Sequence, residues 1–210
     1  MHLARYTDAD GDRAFRTYDR QGDPAALTPL DCLAPVLLSV RVGWRQVIPL
    51  FQPSGPGAVV MKAMQAVLDD PACARASFLD IDLGDSDGPW ALVDAAIRSS
   101  GGFGQGNPVP GLKAVGVSKI LHRKRPVLVP IFDRLVYQFY LGTPPPVGAY
   151  GKAPRKLWPL LQADLRANRA WLAGLAAPVL TPDGRRLSVL RAADIIIWEH
   201  MATGCPRDEG

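Results

Sequence analysis

The sequence predicts a mainly α fold, a single multi-helix domain with at most a few short strands, and three observations lead there. Apolar residues recur at three- and four-residue spacing in most segments between breaks, the signature of amphipathic helices. Period-two alternation is confined to residues 79–83. No fixed repeat period runs along the chain to suggest a solenoid or a propeller. A length of 210 residues fits one domain with a sizeable core, which we divide into an N-terminal arm (1–27), the helical domain (28–204) and a short tail (205–210).

The elements follow in chain order. Residues 1–27 are polar, with Tyr6, Phe15 and Tyr18 as their large apolar anchors, and read as an arm with at most one short helix. Thr28-Pro29-Leu30-Asp31 opens a helix. Thr28 is the N-cap, Pro29 occupies the first helical position and Asp31 completes a near capping box. Leu30, Leu33, Leu37 and Leu38 give this helix an expected buried face. A short helix follows from Trp44 to Phe51, and residues 53–57 break it. Val59, Val60, Met64, Val67 and Leu68 mark a third helix that stops near Asp70-Pro71. Residues 79–83 read as a short strand or an extended connector, and a fourth helix runs from Trp90 to Arg98. Ser99 to Pro110 is a glycine-rich loop; Pro108 and Pro110 interrupt the strand-turn-helix geometry that a nucleotide cradle needs. Helices are expected from Gly111 to Arg123, Asp133 to Leu141, Pro154 to Leu175 and Ser188 to Met201. An exposed loop spans 142–151, and a small hairpin turns at Asp183-Gly184.

Several function classes fall away. No apolar run reaches the roughly 18 residues of a membrane span, and the N-terminus lacks the apolar core of a signal peptide, so a cytoplasmic location is expected. Cys32, Cys73 and Cys205 are far apart and form no C-x-x-C pair; His2, His122 and His200 match no metal spacing. Neither a metal nor a cofactor is expected. Asp85, Asp87, Gly88 and Asp94 sit at calcium-loop offsets, but Leu83 takes the obligatory first ligand position and excludes that motif.

The charge is uneven. The formal net charge is +4, yet residues 100–191 alone carry 14 Lys and Arg against three Asp. A concentrated field of one sign attracts phosphate-rich partners, although solvated arginines alone produce the same count. The densest part is Lys119 and His122-Arg123-Lys124-Arg125, at the end of a helix whose Val117, Ile120 and Leu121 face the core. With Lys113 these residues form the candidate nucleic-acid-binding set; the helix macrodipole also favours such cations without any ligand. Asp133, after Pro130-Ile131-Phe132, is an N-cap candidate and equally a carboxylate able to activate water or stabilise a developing cation at a cleft edge.

The run from Gly116 to Pro126, with Pro130-Ile131-Phe132-Asp133 and Leu187-Ser188-Val189-Leu190-Arg191, resembles an uncharacterised, largely actinobacterial family of unknown function. More remotely, the order of features is similar to the helix-hairpin-helix DNA glycosylase superfamily. Leu33 to Val42 would match its leucine-rich helix and Ser-containing turn, Pro110 to Ser118 its hairpin, and Ile131 to Val136 the segment that bears its catalytic aspartate. That resemblance implies DNA binding, N-glycosidic bond cleavage, Asp133 as the catalytic carboxylate, Lys119 as a binding residue, and Phe103 or Tyr150 as a base-stacking aromatic. The leading expectation is therefore a nucleic-acid-binding, glycosylase-like helical protein. An interaction module whose basic face meets an acidic protein, or an enzyme for a small anionic metabolite, are the alternatives.

Overall fold

The computed structural model describes residues 2–8, 11, 13–101, 108–145 and 154–204. The described chain is helical: α1 (His2–Thr7), α2 (Phe15–Tyr18), α3 (Pro29–Leu33), α4 (Trp44–Val47), α5 (Pro56–Asp69), α6 (Pro71–Arg75), α7 (Pro89–Arg98), α8 (Ala114–Lys124), α9 (Arg134–Leu141), α10 (Pro154–Ala167), α11 (Arg169–Ala176) and α12 (Val189–Thr203). Two 3-10 turns, Ala34–Leu38 and Ile48–Phe51, continue α3 and α4. Among the described residues the only β pairing is one bridge, Leu180 with Arg186, at the expected turn where Gly184 takes φ 79°.

Helix α8 is the axle. Val117, Ile120 and Leu121 are fully buried, and α3, α5, α7 and the Ala34–Leu38 turn pack around it. An edge-to-face aromatic group, Phe78, Trp90, Phe132 and Trp158, fills the core beside it. The second half closes over this core through α9, α10 and α12.

Local signals chose most boundaries. Thr28 and Asp31 form the expected capping box, Ser188 caps α12, and Asp133 caps α9 through Leu135 N–H at 2.9 Å. Four segments differ from expectation, two through partners distant in the chain and two for local reasons.

The first 27 residues hold two helices and are packed: Leu3, Tyr6 and Phe15 bury against Ala192 and Ile195, and Tyr18 is fully buried. Pro35 starts a 3-10 turn of three residues per turn, so the leucine spacing stops lining one face. Asp31, Cys32, Ala34 and Pro35 point inward instead, and Leu30 is 74 % exposed. Residues 79–83 form turns rather than a strand or an extended connector, and Gln162 donates to the carbonyls of Phe78 (2.6 Å) and Ile81 (2.9 Å). The long helix expected over 154–175 is divided at Asn168, whose amide bonds back to Asp164. Within the expected loops, residues 102–107, 146–153 and the tail 205–210 lie outside the described residues, as do Phe103 and Tyr150.

Candidate functional site: a lysine-aspartate pair at the floor of a cleft

The segment between α8 and α9 sets the site. Residues 126–128 form a turn, with the Leu128 and Val129 amides donating to the Arg125 carbonyl, while Leu128, Val129, Ile131 and Phe132 anchor the segment in the core. Its polar backbone is satisfied by side chains. Phe132 N–H donates to Ser118 Oγ at 3.0 Å, Ser188 Oγ donates to the Pro126 carbonyl at 2.7 Å, and His122 Nδ1–H donates to the Val129 carbonyl at 2.6 Å. Ser118 thereby fixes the end of the connector one residue from Lys119. The consequence is a 3.0 Å ion pair between Lys119 Nζ and Asp133 Oδ2, with Nζ also donating to the Leu38 carbonyl at 3.0 Å.

Lys119 and Asp133 line an inner pocket of about 210 Å³ whose other walls include Tyr6, Leu37, Arg191, Asp194 and Trp198. The same two residues, with Leu38, Ser39 and Trp198, also line a wider cleft of about 680 Å³ that runs out past Arg41, Lys113 and Arg134. Pocket and cleft thus adjoin at Leu38, Ser39, Lys119, Asp133 and Trp198, which line both. Arg41, Lys113 and Arg134 are exposed and form no ion pair among the described residues.

The floor is strongly ionic and internally paired. Arg191 grips Asp19 with two hydrogen bonds of 2.8 Å, also pairs with Asp194, and lies over the Tyr6 and Tyr18 rings. Burial pushes the Asp194 carboxyl up to about 6; Arg191 opposes this and the nearby Asp133 carboxylate adds to it. Two carboxyls with different environments in one pocket are the arrangement acid-base chemistry uses.

The sequence-derived site residues separate into two groups. Asp133, Lys119 and Lys113 lie on the depression. The other four are turned inward. Lys124 is 1 % exposed and binds Asp31 (2.9 Å) and the carbonyls of Gln21 (3.0 Å) and Asp23 (2.9 Å). Arg125 donates to the carbonyls of Pro24 (2.9 Å) and Leu68 (2.6 Å). Arg123 holds Asp31 and the carbonyls of Thr17 and Tyr18. His122 stacks on Tyr18, and burial pulls its imidazole down to about 3, so it is neutral. These cations therefore do not project from the end of α8 as a phosphate-binding face; they are spent on one aspartate and a set of backbone carbonyls.

Arg191, Asp194, Asp19, Arg41 and Arg134 were not singled out from the sequence. One signal existed for the first two. Arg191 interrupts an apolar run, Leu190, Ala192, Ala193 and Ile195, with Asp194 three residues on, a pattern that marks a buried helical ion pair. The pairing of Asp19 with Arg191, across 172 residues, left no local trace.

Among the described residues no group of three or more His, Cys, Asp or Glu is arranged to hold a metal ion, and no helix is long and apolar enough to cross a membrane. Cys32 and Cys73 are buried free thiols, both pushed up to about 12, chiefly by burial, so neither is a reactive thiolate.

Fold and site together define a single helical domain with a buried Lys-Asp pair beneath an open, basic-rimmed cleft. The chain belongs to a family of unknown function (DUF6308), whose model matches residues 1–201. Neither a curated protein nor a solved structure matches it.

Proposed function

We propose that this chain binds nucleic acid in the cleft and acts there on an unpaired nucleotide, as a glycosylase-like N-glycosidic hydrolase. The observation that carries the reading is the Lys119–Asp133 pair between a small inner pocket and a wider cleft lined by three exposed cations that form no ion pair among the described residues. Phosphates are drawn by such a rim, and enzymes that work on a base extrude it into a snug side pocket. The inner volume, about 210 Å³, is below the roughly 300–1,000 Å³ of sites for drug-sized ligands and suits one flat ring.

In this reading the chemistry runs through two carboxyls. Asp133 takes a proton from water as the water oxygen bonds to C1′ of the sugar, the C1′–N bond breaks, and Asp194 in its protonated form gives a proton to the departing base nitrogen. Lys119 orients Asp133 through their ion pair. A small anionic metabolite fits less well. Arg13, Lys119 and Arg191, the cations of the inner pocket, are each already paired with a carboxylate, whereas the unpaired charges lie on the outer cleft.

The test is binding of labelled single- and double-stranded DNA and RNA across a salt series, comparing wild type with Arg41→Ala/Lys113→Ala/Arg134→Ala. Affinity should fall with salt, and the triple variant should lose about 0.9 of log-log slope on duplex for each phosphate contact removed. Asp133→Asn should then keep binding and lose base release from lesion-containing substrates. Absence of binding at low salt, or a triple variant that binds like the wild type, would overturn the proposal.

A further inference from the structure

Beside the cleft lies a second feature that the pocket chemistry does not use. Trp44, Ile48 and Phe51 recur at helical spacing along α4 and the 3-10 turn that follows, and they are 58 %, 54 % and 42 % exposed. Large apolar side chains displayed in a row at the surface indicate a binding face. Two arginines, Arg41 and Arg45, are exposed among them. No Asp or Glu occurs from Cys32 to Leu68. The face is therefore apolar, aromatic and positively charged, with no nearby carboxylate in sequence to neutralise it.

Its position is fixed relative to the cleft. Gln46 accepts from Gly43 N–H at 2.9 Å and donates to the Pro110 carbonyl at 3.0 Å, tying α4 to the turn that carries Gly111 and Lys113. Gly111, at φ 90°, passes so close that a Cβ there would meet Gln46 Nε2 at 2.8 Å. Gly111, Lys113 and Arg41 in turn line the cleft. Arg41 thus belongs to both surfaces and makes them continuous.

We infer that Arg41, Trp44, Arg45, Ile48 and Phe51 form a stacking platform for unpaired nucleotides, which leads a single strand into the cleft. Aromatic side chains interleaved with arginines are what single-stranded nucleic acid requires: each base offers a π face, and each phosphate a charge. Paired bases keep their faces inside the helix, so a duplex gains little from Trp44 and Phe51. The inference rests on the nucleic-acid reading of the cleft and narrows its substrate to single-stranded or locally opened chains.

The experiment measures anisotropy of a labelled oligothymidine and of a labelled hairpin duplex. Wild type is compared with Trp44→Ala/Phe51→Ala, with Arg41→Ala/Arg45→Ala, and with the rim variant of the cleft; sedimentation of each protein is recorded in parallel. Loss of stacking at both aromatics should weaken oligothymidine binding by about 5- to 100-fold, the effect of one or more stacked bases, and leave duplex binding within about twofold. The arginine pair should weaken oligothymidine binding and flatten its salt dependence. Oligothymidine binding unchanged in the aromatic variant, while the rim variant loses affinity, would overturn the platform and leave the cleft reading standing. A wild type that binds neither probe at low salt would overturn both. If the aromatic variant instead shifts from dimer to monomer with unaltered oligothymidine affinity, the face belongs to a second copy of the chain and the platform is wrong.

Discussion

Two sets of three cations in this protein are put to opposite uses. At the end of α8, Arg123, Lys124 and Arg125 lie against Asp31 and the backbone carbonyls of the segment from Thr17 to Pro24 and of Leu68. At the mouth of the cleft, Arg41, Lys113 and Arg134 are exposed and unpaired among the described residues. The densest run of charge in the sequence is the one committed to structure, and the sparse, scattered set is the one left available. Density is a poor guide to availability because adjacent residues on one helix end can be neutralised by one strap of chain, whereas exposed cations need only be near one another in space.

Four expected outcomes put this contrast to the test. Arg191→Met removes the cation between Asp19 and Asp194 and strands buried carboxylates, so it should cost about 3–5 kcal/mol in urea unfolding. A loss under 1 kcal/mol would mean the inner ionic network is not structural. Lys124→Met should cost about 2–3 kcal/mol, since Arg123 still partners Asp31 but the carbonyls of Gln21 and Asp23 lose their donor.

The third concerns acid. His122 is pulled from its ordinary 6.5 to about 3 by burial, so the stability it contributes is fully present above about pH 6.5 and is lost as pH falls toward 3. Asp194 is raised from 3.8 to about 6, so its contribution is present below pH 3.8 and is lost as pH rises through about 6. Denaturant midpoints at pH 4 and 6.5 should therefore separate the variants. His122→Asn should gain less stability than wild type over that rise, and Asp194→Asn should gain more. Parallel curves would mean that neither group titrates differently on folding. The smallest effect is expected at the rim: Arg41→Ala/Lys113→Ala/Arg134→Ala should keep its unfolding free energy within about 0.5 kcal/mol per site, in contrast to the inward set.

Legibility followed the range of the interaction. The capping box of Thr28 and Asp31, the cap at Asp133 and the turn at Gly184 are completed within a few residues, and all could be read from spacing, whereas Ser188, read as the first residue of the last helix, is its cap. So could the candidacy of Asp133, because a carboxylate after Pro130-Ile131-Phe132 has few local roles. The inward turn of His122 to Arg125 could not, since most of their partners stand 57 to 106 residues earlier in the chain. Lys119 was intermediate: its neighbours Val117, Ile120 and Leu121 announce a buried helix face, and a lysine within that face must find a counter-ion. Asp31 shows how one residue can be read correctly and incompletely. Its cap is local, while its pairing with Arg123 and Lys124 is not.

The strap from Thr17 to Pro24 also bears on the order in which the molecule is completed. Its carbonyls wait for donors from Arg123 to Arg125, and Asp19 waits for Arg191, 172 residues further on. During synthesis this segment is made before any of these donors, and it meets its last partner only when α12 has been made. Contacts of such long sequence separation form late and slowly. Until then Tyr6 and Phe15 lack the α12 surface they bury against, and transiently exposed apolar side chains of this kind are where folding intermediates aggregate.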